Sequence, residues 1–220
     1  MIEEMDFGEG VNAVSLNPLE RRIIELSYAH QLTHVSSCLN VINVLSEVYA
    51  RREENEPVIL ANGHAALALY VILESEGICN AEEMINRHGV HASRDMPNGI
   101  WCSNGSLGQS EPIAVGMALA NRDRKVWLIT SDGACSEGSV WEAFTLAEEV
   151  RLRNLHIYII ANGYGAYREI DVNVLWERCV QTMPHLPFLF HKPRMPFEWL
   201  EGLEGHYMKI SDEQYAQAMA

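Results

Sequence analysis

Hydrophobic positions along the chain follow two different patterns. Apolar residues recur at helical spacing in 19–29 and 39–51, and a nine-residue apolar run covers 65–73. Two later stretches, 125–130 and 155–161, are almost continuously apolar and rich in residues that favour strands. Such stretches are typical of central parallel strands that are covered on both faces. The pattern therefore predicts helices in the first third of the chain and buried strands farther on.

The order strand, helix, strand in the middle of the chain is the strongest fold signal. A helix predicted at 140–152 separates the two buried strands, as in a βαβ unit. Weaker signals predict two more strands and three more helices: strands at 57–60 and 187–191, helices at 81–87, 112–120 and 212–219. We therefore expect an α/β fold, with an open, mostly parallel sheet and helices on both faces. Residues 1–15 are expected to form a loose tail and residues 16–220 a single domain.

The composition is that of an acidic globular protein. Hydrophobic residues make up 48% of the 220 residues, and the formal net charge is −14. Such a charge repels phosphate backbones and anionic lipid, so we expect neither nucleic acid nor a membrane as a partner. The longest apolar run is far shorter than a membrane span, and the acidic start lacks the features of a signal peptide. Five cysteines without a CxxC pair favour free thiols in a cytoplasmic protein.

Polar residues follow both buried strands at the point where each ends. Asp132-Gly133 comes after the first, and Asn162-Gly163 after the second. Ligands of open parallel sheets bind beyond the carboxyl ends of the strands. Carboxylate, amide and backbone oxygens suit a Mg²⁺ ion whose other ligands are phosphate oxygens and water. Both dipeptides are also among the commonest turn sequences, so two ordinary turns remain the alternative.

Several motifs resemble, in the same order, the amino-terminal domain of the transketolase family. Asp132-Gly133 followed by Asn162 resembles the diphosphate-anchoring motif of thiamine diphosphate enzymes. Further similar motifs lie between about residues 20 and 215: Asn62-Gly63-His64, Gly105-Ser106-Leu107-Gly108-Gln109, Glu137-Gly138 and the segment 206–215. The resemblance implies a thiamine diphosphate-binding fold and, as cofactors, thiamine diphosphate and Mg²⁺.

The resemblance also implies a role for each matching residue. Asp132, Asn162 and the backbone carbonyl of Tyr164 would hold Mg²⁺ on the diphosphate. His34, His64 and His91 would be the catalytic side chains, with His34 and His91 at the mouth, near the hydroxyl groups of a sugar. The expected cofactor-binding residues are His64, Gly105, Leu107, Asp132, Gly133, Glu137, Asn162 and His206. Of these, Glu137 would lie at the buried surface between two domains.

The activity implied by the resemblance is the transfer of a two-carbon ketol unit from a ketose to an aldehyde. In the transketolase family, a glutamate essential for the coenzyme lies on a second, pyrimidine-binding domain. We therefore expect this chain to be the diphosphate-binding subunit of a two-chain enzyme, with a separate pyrimidine-binding subunit in an α2β2 assembly. Sugars or small carbonyl compounds would be its substrates.

Two other functions remain open at this point. The stretch Asn162-Gly163-Tyr164 is also similar to the α-subunit of 2-oxoacid dehydrogenases, which favours two-carbon acyl transfer from pyruvate. A non-catalytic remnant of the fold is the third candidate, because the sequence departs from the family pattern. Ser131 stands in place of a glycine, and the turn at His34 lacks a proline and two glycines. The serine fits the tight turn if its hydroxyl group finds a hydrogen-bond partner.

Overall fold

The computed structural model describes residues 4–5, 16–165, 168–193 and 195–220. Its centre is a five-stranded sheet in which all neighbouring strands are parallel, in the order β1-β5-β4-β3-β2. The strands are β1 (Glu4–Met5), β2 (Val58–Leu60), β3 (Val126–Ser131), β4 (Leu155–Ile160) and β5 (Phe188–His191). The two longest strands, β3 and β4, lie at the centre and pair along their whole length. The predicted parallel sheet is thus confirmed.

Helices surround this sheet. Over the described residues they are α1 (Pro18–Ala29), α2 (Val35–Arg51), α3 (Ala66–Ser75), α4 (Ala81–His88), α5 (Ser110–Ala120), α6 (Gly138–Glu149), α7 (Val172–Thr182), α8 (Gly202–Tyr207) and α9 (Asp212–Met219). Local sequence explains several starts: Asn17 caps α1, Asn80 caps α4 and Ser211 caps α9, each by accepting from backbone N–H groups of the first turn. None of these helices is both long enough and apolar enough to cross a membrane.

The core is divided into two layers by the sheet. One face of β3 and β4, including Trp127 and Tyr158, packs with the first helices of the chain and with α9. The opposite face, including Leu128 and Ile157, packs with α5, α6 and α7. Because side chains of a strand alternate between faces, a continuously apolar strand needs a helix layer on each side. The expected placement of helices on both faces is confirmed.

Most boundaries predicted from the sequence shift by a few residues. Helix α2 begins at Val35 instead of residue 39, because His34 adopts the left-handed conformation (φ 65°) and starts the helix there. Helix α6 ends at Glu149 instead of residue 152, since Arg151 is left-handed (φ 54°). The sequence analysis missed α7 and α8 altogether. Only Leu175 and Cys179 of α7 are buried, so its apolar signal is weak.

The expected loose tail is wrong at two residues. Glu4 and Met5 form the strand β1, which pairs with Phe190 and His191 of β5. The outer side of β5 would otherwise present unpaired backbone groups, and a short added strand satisfies them. This pairing joins distant ends of the chain, so no local pattern predicts it. The other residues of the predicted tail lie outside the described residues.

Candidate functional site

A cleft of about 280 Å³ lies at the carboxyl edge of the sheet. The loops after β2, β3 and β4 form its floor, and the start of α2 and the end of α8 form one wall. Its lining contains most of the residues predicted from the sequence: His34, His64, His91, Gly105, Leu107, Asp132, Gly133, Asn162, Tyr164 and His206. Residues up to 172 positions apart therefore meet in one place.

Asp132 lies at the bottom of this cleft, directly after β3, and is only 2% exposed. One carboxylate oxygen accepts from the backbone N–H of Gly133 (2.8 Å), the other from that of Gly163 (2.7 Å). Burial raises the pKa of Asp132 to about 6, although these backbone donors oppose the shift. The carboxylate is thus held between the two turns that the sequence analysis singled out.

The turn after β4 is fixed by its own side chain. Asn162 Oδ1 accepts from the backbone N–H of Tyr164 (2.9 Å), an Asx turn that leaves the asparagine at the exposed edge of the cleft. Ser131, which stands in place of the family's glycine, is buried, and its hydroxyl oxygen accepts from the N–H of Ala134 (3.2 Å). The hydroxyl group therefore has the partner that the tight turn requires.

The chemistry of these groups fits a divalent cation. A buried carboxylate needs a counter-charge, and no lysine or arginine is among the described residues that line the cleft. In the part of the chain that the structure describes, no three His, Cys, Asp or Glu side chains are grouped to hold a metal. A cation here would take its ligands from Asp132, Asn162, a backbone carbonyl and the oxygens of a ligand. That donor set is the one Mg²⁺ prefers.

Three histidines are packed together on the opposite side of the cleft. His34 Nδ1 lies 3.1 Å from His206 Nε2, and the ring centroids of His34 and His64 are 5.1 Å apart. Ser37 Oγ lies 3.3 Å from the other ring nitrogen of His206. The backbone N–H of His34 donates to the carbonyl of His206 (3.1 Å). These bonds hold the end of α8 against the start of α2.

Burial keeps the clustered histidines uncharged. It lowers the pKa of His34 to about 4 and that of His64 to about 3, and the neighbouring histidines add to both shifts. Burial also lowers the pKa of His206. A neutral imidazole has one donor and one acceptor nitrogen. At neutral pH the cluster can therefore exchange hydrogen bonds with hydroxyl and carbonyl groups, and it places no positive charge in the cleft.

The low pKa of His64 predicts an acid-sensitive fold. As the pH falls below about 6.5, the unfolded chain takes up a proton at this position before the folded chain does, so the free energy of unfolding decreases. The variant His64→Gln removes the side chain that binds this proton. We expect its loss of stability between pH 7.5 and pH 4 to be smaller by ~3 kcal/mol, measured by urea unfolding across this range. Equal slopes for the two proteins would contradict the shift.

Two glycines bring the loops of the cleft into direct contact. A Cβ atom on Gly63 would lie 2.2 Å from the backbone nitrogen of Gly105. Gly105 itself has φ 110° and lies against the ring of His91, which a Cβ there would approach to 2.9 Å. Asn104 Nδ2 donates to the carbonyl of Leu60 (3.3 Å). The position of His91 and of the loop 104–108 thus depends on residues without a side chain.

One predicted residue lies outside the cleft, and several cleft residues were missed. Glu137 is exposed at the start of α6 and packs its Cβ near Gly108. Lining residues to which the sequence gave no role include Ser37, Asn40, Asn62 and Tyr207. Ser37 and Asn40 are buried polar residues one turn apart on α2. Other polar residues, Asn43 and Ser46 among them, lie on the same helix, so the sequence alone did not distinguish these two.

A protein-family model matches most of the chain. The model described as "Dehydrogenase E1 component" matches residues 28–169, which is well over half of the chain. The match includes both strand-end turns and three of the cleft histidines, His34, His64 and His91.

Individual proteins give a similar result. A subunit of apulose-4-phosphate transketolase from Phocaeicola vulgatus is 28% identical over 64% of this chain. Transketolase-like protein 2 of Homo sapiens is 31% identical over 86% of it. The chain spans 57% of the bacterial protein and 31% of the human one. The structure of transketolase from Leishmania mexicana, 16% identical, superposes with a TM-score of 0.74 over 91% of this chain and 39% of its own. This superposition shows a shared fold.

Proposed function

The chain belongs to the dehydrogenase E1 component family and has the thiamine diphosphate-binding fold of transketolases, and on this premise we propose that it is the diphosphate-binding subunit of a transketolase-like transferase. Its reaction would move a two-carbon ketol unit from a ketose donor to an aldehyde acceptor in carbohydrate metabolism. When bound, thiamine diphosphate supplies a nucleophilic carbon that can break the bond next to a carbonyl group. The chain's own residues hold the coenzyme and position the substrate.

The observation that carries this proposal is the buried carboxylate of Asp132 without a cationic side chain among the described residues of the cleft. Asp132, Asn162 and the backbone carbonyl of Tyr164 would hold Mg²⁺, and the ion would bind the diphosphate. Gly133 and the turn up to α6 leave room for the phosphate oxygens: a Cβ on Gly133 would meet no atom closer than 3.6 Å. Because the chain has a net charge of −14, such an ion would also offset the repulsion between the chain and the diphosphate.

The histidine cluster would bind and orient the substrate. His34, His64 and His206 are kept neutral by burial, so they can donate to a carbonyl oxygen and accept from a hydroxyl group. The ring of His91 lies against Gly105. Gly105 and Leu107 would contact the rings of the coenzyme. Neutral imidazoles close to the reacting atoms are also suited to move protons during the reaction.

We propose that a separate pyrimidine-binding subunit completes the enzyme, in an α2β2 assembly. The bacterial relative is named as one subunit of a transketolase, which supports a division of the enzyme between two chains. Glu137 is exposed at the start of α6, where it is available to such a partner. We further propose a cytoplasmic location, because all five cysteines are free thiols.

Two-carbon acyl transfer from pyruvate is the second candidate, and the family match to an E1 dehydrogenase component favours it. The two reactions differ in their donor. Ketol transfer requires a hydroxylated donor, which the neutral histidines suit, and the phosphate of a ketose phosphate lies at the far end from its carbonyl group. Pyruvate instead carries a carboxylate bonded to the reacting carbonyl carbon, where it would meet no cationic side chain among the described lining residues. This charge argument favours the ketol donor.

An assay with both donors tests the proposal. The full chain, its partner subunit, Mg²⁺ and thiamine diphosphate are mixed with either a ketose phosphate or pyruvate, and donor cleavage is measured. We expect cleavage of the ketose at a rate at least tenfold above that of pyruvate. The opposite preference would support acyl transfer. Absence of Mg²⁺-dependent binding of thiamine diphosphate by calorimetry, even with the partner present, would support a non-catalytic remnant.

A further inference from the structure

Two buried carboxamide side chains line the cleft where the start of α2 meets the turn after β2. Asn40 lies on α2, Asn62 follows β2 by two residues, and each is only 3% exposed. The Oδ1 atom of each has no hydrogen-bond partner among the described residues. Both atoms are therefore acceptors that this part of the folded chain leaves unused.

An unused buried acceptor costs folding free energy, because it loses its hydrogen bonds to water without gaining a partner in the folded chain. Asn80 shows what the carbonyl oxygen of a structural asparagine does in this chain: its Oδ1 accepts from the backbone N–H of Glu83 (2.9 Å). The carbonyl oxygens of Asn40 and Asn62 make no such bond within the described ranges. Their positions therefore point to a partner that is not part of the chain.

Both asparagines lie beside the histidine cluster. Helix α2 packs against the turn Gly63–Ala65, which contains His64 and directly follows Asn62. Ser37, one turn before Asn40 on α2, lies 3.3 Å from His206 Nδ1. The same face of α2 therefore contacts the histidines and presents Asn40 to the cleft.

We propose that Asn40 and Asn62 form a binding subsite that accepts hydrogen bonds from uncharged donor groups of a ligand. The donors would be hydroxyl groups of a sugar-like substrate or the amino group of the coenzyme. A carbonyl oxygen cannot bind a fully ionised phosphate, because both groups only accept hydrogen bonds. The choice of these two donors rests on the proposed function, whereas the observation that the two acceptors have no partner among the described residues does not depend on it.

The subsite predicts a separation between stability and binding. Asn40→Leu and Asn62→Leu replace a carboxamide by an apolar group of similar shape, which removes the unused acceptor. We expect the thermal midpoint of the ligand-free chain to stay the same or rise, and binding of one probe to weaken about tenfold. The control Asn154→Leu breaks three hydrogen bonds away from the cleft. It should lower the midpoint by about 5 °C and leave binding unchanged.

Calorimetry on the full chain, assembled with its partner subunit, uses two probes, D-fructose and thiamine diphosphate with Mg²⁺. Weaker binding of D-fructose identifies substrate hydroxyl groups as the donors, and weaker binding of thiamine diphosphate identifies its amino group. A fall in midpoint as large as that of the control, unchanged binding of both probes, or a parent chain that binds neither would overturn the subsite. If the parent binds D-fructose but not thiamine diphosphate, the proposed function fails while the subsite stands.

Discussion

Replacing Asp132 by asparagine is expected to weaken Mg²⁺-dependent binding of thiamine diphosphate by at least ~100-fold. Asparagine keeps the size of the side chain and one acceptor but removes the negative charge that faces the proposed cation. Even residues that only support metal ligands change metal affinity by about 10–100-fold, so a direct ligand should have a larger effect. Calorimetric titration of thiamine diphosphate, with and without Mg²⁺, measures the change.

The matched control for this prediction is Asp171→Asn. Asp171 caps α7 by accepting from the N–H groups of Asn173 and Val174, and asparagine caps helices equally well. The control removes the same charge outside the cleft, so binding should stay within about twofold of the parent. Unchanged binding by Asp132→Asn itself would exclude the metal role of this carboxylate.

The pH dependence of coenzyme binding gives an independent check of the metal role of Asp132. Burial raises the pKa of Asp132 to about 6 in the ligand-free chain, so a proton competes with the cation below that pH. Mg²⁺-dependent affinity should be constant above about pH 7 and fall toward tenfold for each pH unit below 6. In Asp132→Asn this dependence should disappear.

The central part of the fold was predictable because its information is local. The strands β3 and β4 are continuously apolar segments, and the apolar residues of α6 recur at helical spacing. The parallel pairing of the two strands follows from the helical connection between them. The turns after both strands were predictable for the same reason. Asp132 and Asn162 meet because the carboxyl ends of neighbouring parallel strands share one edge of a sheet.

Tertiary contacts decide the parts that the sequence did not reveal. Helix α8 contains two glycines, which disfavour a helix, yet Gly205 packs against the backbone of Leu200 so closely that a Cβ would lie 2.3 Å from its carbonyl oxygen. Ser36 Oγ donates to the carbonyl of Gly205 (3.4 Å) and helps to hold α8 on α2. Ser36, which follows His34 in the turn that lacks the family's glycines, thus has a structural role that its local sequence does not indicate.

The histidine cluster illustrates the same limit for the site. The resemblance placed His34 at the mouth of the site and His206 at the cofactor, but their mutual contact joins residues 172 positions apart. The low pKa values of His34 and His64 follow from burial by segments that are distant in sequence. A buried polar residue such as Asn40 indicates that something polar faces it, but only the assembled cleft identifies the neighbours.

The second large predicted effect concerns the contact between Gly63 and the loop 104–108. The variant Gly63→Ala places a Cβ 2.2 Å from the backbone nitrogen of Gly105 and 2.6 Å from its Cα, and backbone atoms cannot give way as a flexible side chain can. We expect the free energy of unfolding to fall by ~3 kcal/mol or more, measured by urea unfolding. Displacement of the loop 104–108 should also weaken binding of thiamine diphosphate by at least tenfold.

The control Gly116→Ala separates this clash from a general effect of adding a methyl group. Gly116 lies inside α5, and a Cβ there meets no atom within 4 Å. Alanine is the better helix former, so this variant should gain about 0.5–1 kcal/mol of stability and keep its affinity for the coenzyme. A Gly63→Ala chain as stable as the Gly116→Ala chain would mean that the loops after β2 and before α5 do not touch. The cleft would then lack the contact that positions His91 beside His64.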